Sequence, residues 1–213
     1  MAELRIGCVV MAAGQGRRFG GGKLTADLEG RSLIQRTLKA VPRELFSAAA
    51  VVAGGGAVLE LASSLGFLPV ENERPELGLS RTVRLGLEAL GDCQGALFWP
   101  GDQPLVRRET VLALTQRWRR DPETIAALGC RGVRGSPCIF PARLFPELLA
   151  LTGDRGGSAV IRRHRDLLVL VEAEEEELWD VDTREDLAAL RERVRRIDQE
   201  RLPLGDAEKG GLR

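Results

Sequence analysis

Apolar residues in this chain gather in short dense runs, most of them closed by glycine or proline. Residues 6–14, 48–53, 67–70, 96–99, 125–130, 138–140 and 167–171 each read as a strand, the longer ones buried on both faces. Residues 178–181 also read as extended. Between these runs, apolar residues recur at helical spacing in 33–41, which Pro42 stops, and in 58–65. A third helix, with Ser80 as its cap, carries Val83, Leu87 and Leu90; a fourth, about 109–119, buries Val111, Leu112, Leu114 and Trp118. Residues 144–151, 159–163 and a strongly charged stretch from about 184 to 200 complete the helices, and 132–137 reads as a loop. Strands that alternate with helices predict an α/β fold, a doubly wound and mostly parallel sheet with helices on both faces. Ligands of such a sheet bind beyond the carboxyl ends of its strands.

At 213 residues the chain fits one domain over 1–201, with the apolar-poor residues 202–213 as a flexible tail. Lys+Arg and Asp+Glu both number 31, so no overall basic field draws in nucleic acid. Cys8, Cys93, Cys130 and Cys138 stand far apart, which argues against a zinc site and fits reduced thiols in the cytoplasm, filling or flanking the core. The first apolar run has the length of a signal-peptide core, but Glu3 precedes it and arginines follow it, so it reads as a buried strand. No stretch reaches the roughly 18 apolar residues of a membrane helix.

One charge bias changes the picture. Lys23, Lys39 and Lys209 are the three lysines among 31 basic residues, and Lys23 closes a glycine-rich loop, Gly14-Gln15-Gly16-Arg17-Arg18-Phe19-Gly20-Gly21-Gly22-Lys23. Bare backbone approaches an anion closely, and the fixed cations supply countercharge, so the loop reads as a phosphate site. A dinucleotide fingerprint would need glycine at Phe19, and a P-loop would need glycine at Arg17 and Ser or Thr at Leu24. Neither fits.

On the same sheet edge, the run 96–99 breaks into Pro100-Gly101-Asp102-Gln103-Pro104, where a carboxylate fixed between prolines suits a magnesium ligand. In 180–183, extended backbone points Asp180 and Asp182 the same way, while Thr183 and Asp186 have capping-box spacing for the last helix. His164, in a basic run, and the acidic residues 174–177 read as solvated surface.

These motifs, in this order, resemble those of the MobA-like NTP transferases, and most closely the molybdenum-cofactor cytidylyltransferase branch. The likeness spans residues 6 to about 190. It implies a Rossmann-like nucleotidyltransferase that moves CMP from CTP to the phosphate of the molybdenum-pterin cofactor with Mg2+. In that likeness the backbone of Ala12, Ala13 and Gly14 meets the base, Gly16, Ser80 and Gly101 complete the nucleotide site, and Arg18 and Lys23 hold the triphosphate. Asp102 and Asp182 hold the metal, with Asp180 orienting Asp182 or serving as a second-choice ligand. The segment 134–140 resembles a Gly-His-Pro or Gly-Asn-Pro motif with Ser136 at the variable position beside Pro137. The segment 153–158 resembles Gly-Asp-x-Gly-Ala-Arg, with Ser158 where arginine is expected and Arg155 as its substitute on the acceptor side. A molybdenum hydroxylase is the client such an enzyme would serve. GTP in place of CTP, a sugar or alditol phosphate as acceptor, and a pterin carrier without turnover are the alternatives.

Overall fold

The computed structural model describes residues 4–201; the expected tail lies outside the described residues. The first strand, β1 (Ile6–Ala12), leads through the glycine loop to a two-residue hairpin, β2 (Asp27–Leu28) and β3 (Arg31–Ser32), and then α1 (Leu33–Ala40). There follow β4 (Ala48–Ala53), α2 (Ala57–Ser64), β5 (Leu68–Glu71), α3 (Leu79–Leu90), β6 (Gly95–Pro100) and α4 (Arg108–Arg120). The second half adds β7 (Ile125–Cys130), β8 (Val133–Pro141), α5 (Phe145–Leu149), α6 (Gly157–Arg163), β9 (Leu168–Glu172) and α7 (Arg184–Arg201).

Seven strands form one sheet in the order β5-β4-β1-β6-β8-β7-β9, and within it β8 runs against the rest. The chain winds outward from β1 through β4 to β5, then crosses back to β6 on the other side of β1. The winding therefore reverses between β1 and β6, and a doubly wound sheet opens its ligand crevice at that point. Alternation along β1 explains the two layers. Ile6, Cys8, Val10 and Ala12 pack with α1, α2 and α4, while Val9 packs with α3, α5 and α6. The layer is tight: a Cβ on Gly7 would sit 2.5 Å from Leu90 Cδ1 of α3.

A third cluster lies outside this sandwich. Phe19 of the glycine loop, with Leu28 and Leu33, packs against Val181, Leu187, Leu190 and Val194 of the C-terminal segment. The Arg184 guanidinium adds a cation–π contact, 5.1 Å from the centre of the Phe19 ring. The last helix thus holds the loop from behind.

Several expectations change. Residues 133–137 belong to β8: Val133 and Arg134 pair with Cys130 and Gly129 of β7, pairing resumes at Cys138 opposite Ala127, and 135–137 form the irregularity between these anchored ends. Residues 178–181 join no ladder; a 3-10 turn, Glu175–Leu178, replaces their start. The helix expected over 144–151 is a 3-10 turn, Ala142–Leu144, followed by the short α5. In α4 the inner stripe takes Thr115 rather than Leu112, its hydroxyl satisfied by the Val111 carbonyl at 2.6 Å. Glycine, not Ser80, stands at the N-cap of α3: Gly78 holds φ 89°, and Ser80 lies buried in the first turn. The acidic turn is not all solvated. Glu177 is 3% exposed, and its carboxylate takes the Arg107 amide and guanidinium, each at 2.8 Å. His164 is half-buried, with Nε2 2.6 Å from Glu147.

Candidate active site

The carboxyl ends of β1 and β6 lie side by side, with Met11 opposite Pro100. The Gly101 amide donates to the Met11 carbonyl at 2.9 Å, and the Gly101 carbonyl accepts from the Thr37 hydroxyl at 3.1 Å. The turn is tight: a Cβ at 101 would lie 3.0 Å from Ile34 Cδ1 and 3.2 Å from the Met11 carbonyl oxygen, so a larger residue would need its neighbours to shift. It sets Asp102 at the mouth of the crevice. The Val181 amide donates to the Asp102 carbonyl at 3.2 Å and brings Asp182 alongside. The capping box at Thr183 and Asp186 forms as expected, and the Asp186 carboxylate also takes the Asp182 amide at 3.0 Å.

Lys23 joins the two carboxylates. Its Nζ lies 2.6 Å from Asp102 Oδ2 and 3.3 Å from Asp182 Oδ1, and its side chain is 12% exposed. Arg18 reaches the other Asp182 oxygen at 2.9 Å from an open position. Burial works against the Lys23 ammonium, but the charge and hydrogen bond of Asp102, then those of Asp182, outweigh it and hold Lys23 above the usual lysine range. Asp180 keeps much of its surface open, yet protein crowded around its carboxyl pushes it above the usual carboxylate range. The Asp102 and Asp182 charges add to that push, while a hydrogen bond from Gln103 and the Lys23 charge oppose it.

The glycine loop is less bare than expected. Gly16 and Gly20 to Gly22 all have positive φ, and the amides of Phe19, Gly20 and Gly21 turn inward onto the Gly16 carbonyl at 3.0, 3.1 and 3.2 Å. The loop's anion-facing groups are therefore its earlier residues and its cations. A cleft of about 520 Å³ is lined by Ala13, Gly14, Gly16, Arg18, Lys23 and Asp182 among others. Ala12 and Gly101 lie buried beneath it, and Ser80 faces inward; Thr82, held by Asn72 Nδ2 at 3.2 Å, lines the cleft instead. The Asp154 carboxylate accepts weakly from the Leu79 amide at 3.4 Å, so a second glycine loop, residues 153–158, meets the start of α3.

A second pocket, about 320 Å³, lies beside the first, with Met11, Phe98 and Phe140 in its apolar part and Ser136 and Arg155 among its polar groups. Pro137 is buried in β8 and is not in its lining. Arg134 is a site residue that no motif singles out. Its guanidinium crosses to the Ser158 hydroxyl at 2.9 Å, bringing a cation to the position where the resemblance lacked an arginine. Strand alternation held the signal, because Arg134 and Ser136 share one face of β8.

The donor set fits a hard divalent cation. Among the described residues no group of three or more His, Cys, Asp or Glu is arranged to hold a metal ion, so a cation here would rest on Asp102 and Asp182 plus ligand oxygens, as magnesium commonly does. Lys23 already marks the point between those carboxylates as one that favours positive charge.

Known proteins share this arrangement of elements. A Mycobacterium sp. strain JC1 homolog of Mycobacterium tuberculosis Rv0371c is 28% identical, with a TM-score of 0.76 over 91% of this chain and 100% of that one. A Methanothermobacter nucleotidyl transferase is 27% identical, with a TM-score of 0.75 over 91% and 99%. Rv0371c solved with manganese, 24% identical, has a TM-score of 0.69 over 88% of this chain and 98% of that one. The bifunctional protein GlmU of a Synechococcus strain is 35% identical over 129 residues, 58% of this chain; the match spans 20% of that protein's length. Residues 8–167 match the MobA-like NTP transferase domain, and the chain belongs to that family.

Proposed function

We propose that this chain is a divalent-metal-dependent cytidylyltransferase that moves CMP from CTP to the phosphate of a molybdenum-pterin cofactor. The observation that carries the transfer reading is the meeting of Lys23, Arg18, Asp102 and Asp182 at the switch point. A bound magnesium or manganese ion, held by Asp102 and Asp182, would neutralise charge on the triphosphate and the departing pyrophosphate. Lys23 and Arg18 trade their carboxylate partners for phosphate oxygens and hold the chain of phosphates straight. Ala13, Gly14 and Gly16 bring backbone close to the nucleoside. An acceptor phosphate oxygen attacks the α-phosphorus as the bond to pyrophosphate breaks in line. That oxygen is already ionised at neutral pH, so no general base is required, and the gain comes from positioning and charge. Ser136, Arg155 and the Arg134–Ser158 pair face the acceptor.

CTP rests on the resemblance of Ala12-Ala13-Gly14 and Asp102-Gln103-Pro104. The hydroxyls of Ser136 and Ser158 favour a second reading, a sugar or alditol phosphate as acceptor. One panel tests both: CTP, GTP, UTP and ATP with Mg2+, each with the pterin cofactor, with sugar phosphates or without acceptor, scored by pyrophosphate release. Release from CTP that requires the pterin is the expected result. Release from GTP would move the base assignment, and release driven by a sugar phosphate would move the acceptor. Ligand binding without turnover would leave a carrier that hands the cofactor to a molybdenum hydroxylase.

A further inference from the structure

Among the described residues, Glu177 is the one acidic or basic side chain that lies buried. No step of the transfer uses it, and it lines neither the nucleotide cleft nor the pocket beside it. A carboxylate taken out of water is costly unless it is fully paired, and pairing offsets that cost in one geometry only. Glu177 has such a pairing. One oxygen accepts from the Arg107 amide, at the N-terminus of the 13-residue α4, and the other from the Arg107 guanidinium, both at 2.8 Å. The Glu174 amide donates to the second oxygen at 3.3 Å and closes the capping box of the 3-10 turn. Glu176 adds an ion pair with Arg193 of α7.

These contacts belong to a longer seam. The turn 101–107 carries Asp102 and the segment 174–182 carries Asp182, and the two pass each other in opposite directions without forming a ladder. The Val181 amide donates to the Asp102 carbonyl at 3.2 Å, Gln103 donates to the Asp180 carboxylate, and Arg107 holds Glu177. Between these points Leu105 packs against the cluster that contains Val181. The Asp182 side chain is 40% exposed, so its place follows from the backbone of the segment and not from burial. We infer that Glu177 is a positioning residue of the transfer site: anchored at the start of α4, it fixes the segment 174–182 against the turn 101–107 and so sets the span between Asp102 and Asp182. For the consequence in catalysis the inference rests on the transferase reading; for the seam it does not.

The test compares the full chain with Glu177→Gln, which keeps the volume and turns one of the two acceptors into a donor. Amide hydrogen exchange should show the Val181 amide about tenfold or more less protected, with the amides of β1 and β6 unchanged. Turnover of CTP should fall about tenfold or more while KM for CTP stays within about twofold, because the cleft itself is untouched. The double variant Glu177→Gln/Asp182→Asn should be no slower than Asp182→Asn alone, since both changes act through one carboxylate. An unchanged Val181 amide, protection lost evenly across the sheet, or losses that add in the double variant would overturn the inference. If Glu177→Gln does not fold, Arg107→Ala removes the half-exposed guanidinium, leaves the Arg107 amide in place and is held to the same outcomes. Local loss of Val181 protection in a protein that turns over no triphosphate would sink the transferase reading alone. Turnover that keeps its rate when the Val181 amide has lost its protection would sink this inference alone.

Discussion

Replacing Lys23 with methionine removes the ammonium and keeps most of the stem, and its consequences have opposite signs. In the ligand-free protein Nζ satisfies Asp102 at 2.6 Å and Asp182 at 3.3 Å. Hydrogen bonds to charged groups are worth about 1.5–3 kcal/mol each, and Asp182 is 40% exposed, which discounts the longer one. Lys23→Met should therefore lose about 2–3 kcal/mol of ligand-free stability. The carboxylates left behind face each other without the cation that competed for their oxygens. Mn2+ titrated in the absence of nucleotide, followed by electron paramagnetic resonance or calorimetry, should bind about tenfold tighter to the variant than to wild type. With CTP present the sign reverses, because the triphosphate has lost its buried cation, and turnover should fall about 100-fold or more. Equal Mn2+ affinity in the two proteins would refute the competition for one set of oxygens. An unchanged rate of pyrophosphate release would mean that the glycine loop holds something else.

Asp102→Ala should abolish pyrophosphate release from CTP and weaken Mn2+ binding while the melting transition stays cooperative; unchanged release would remove Asp102 from the metal site. Gly78→Ala puts a Cβ 2.6 Å from the Asp154 nitrogen at a backbone φ of 89°. It should cost about 2–3 kcal/mol in chemical denaturation and raise KM for CTP, because the second glycine loop must shift from the cleft. Glu147 is held below the usual carboxylate range by the hydrogen bond from Arg163 and then by that from His164. Its contribution is complete above the ordinary carboxylate pKa and disappears as pH falls through the lowered one. Glu147→Gln should thus cost about 0.5–1 kcal/mol at pH 7, with the gap to wild type closing in strong acid, as thermal melts across pH would show.

Local pattern was enough wherever burial was uniform. The bounds of β4 and β7 match the apolar runs residue for residue, because a strand covered on both faces leaves no polar position to blur its ends. Pattern failed where a distant partner decided the outcome. Residues 133–137 look like a loop by composition and are drawn into a strand by the β7 pairs at 133, 134 and 138 that bracket them. Glu177 looks solvated until Arg107, 70 residues earlier in the chain, closes on it. Ser80 is a good cap by residue type, but the approach of Gly153 and Asp154 to position 78 calls for glycine one turn-entry earlier. At the site, Lys23, Asp102 and Asp182 were legible as residue types in motif order. That the lysine would sit on both carboxylates was not, since separations of 79 and 159 residues are set by the sheet and not by any local rule.

Those separations also impose an order on the making of the protein. The sheet is complete at Glu172, where β9 ends, and the matched family domain ends at residue 167. The second carboxylate comes ten residues after the last strand, on the segment whose helix backs the glycine loop. Asp182 and the helix that covers Phe19 are the last parts of the site to leave the ribosome. On the proposed chemistry, a chain that ends at Glu172 would carry the residues of all seven strands, but Lys23 would have one of its two carboxylates and Phe19 would lack its cover, and such a chain is expected not to turn over CTP.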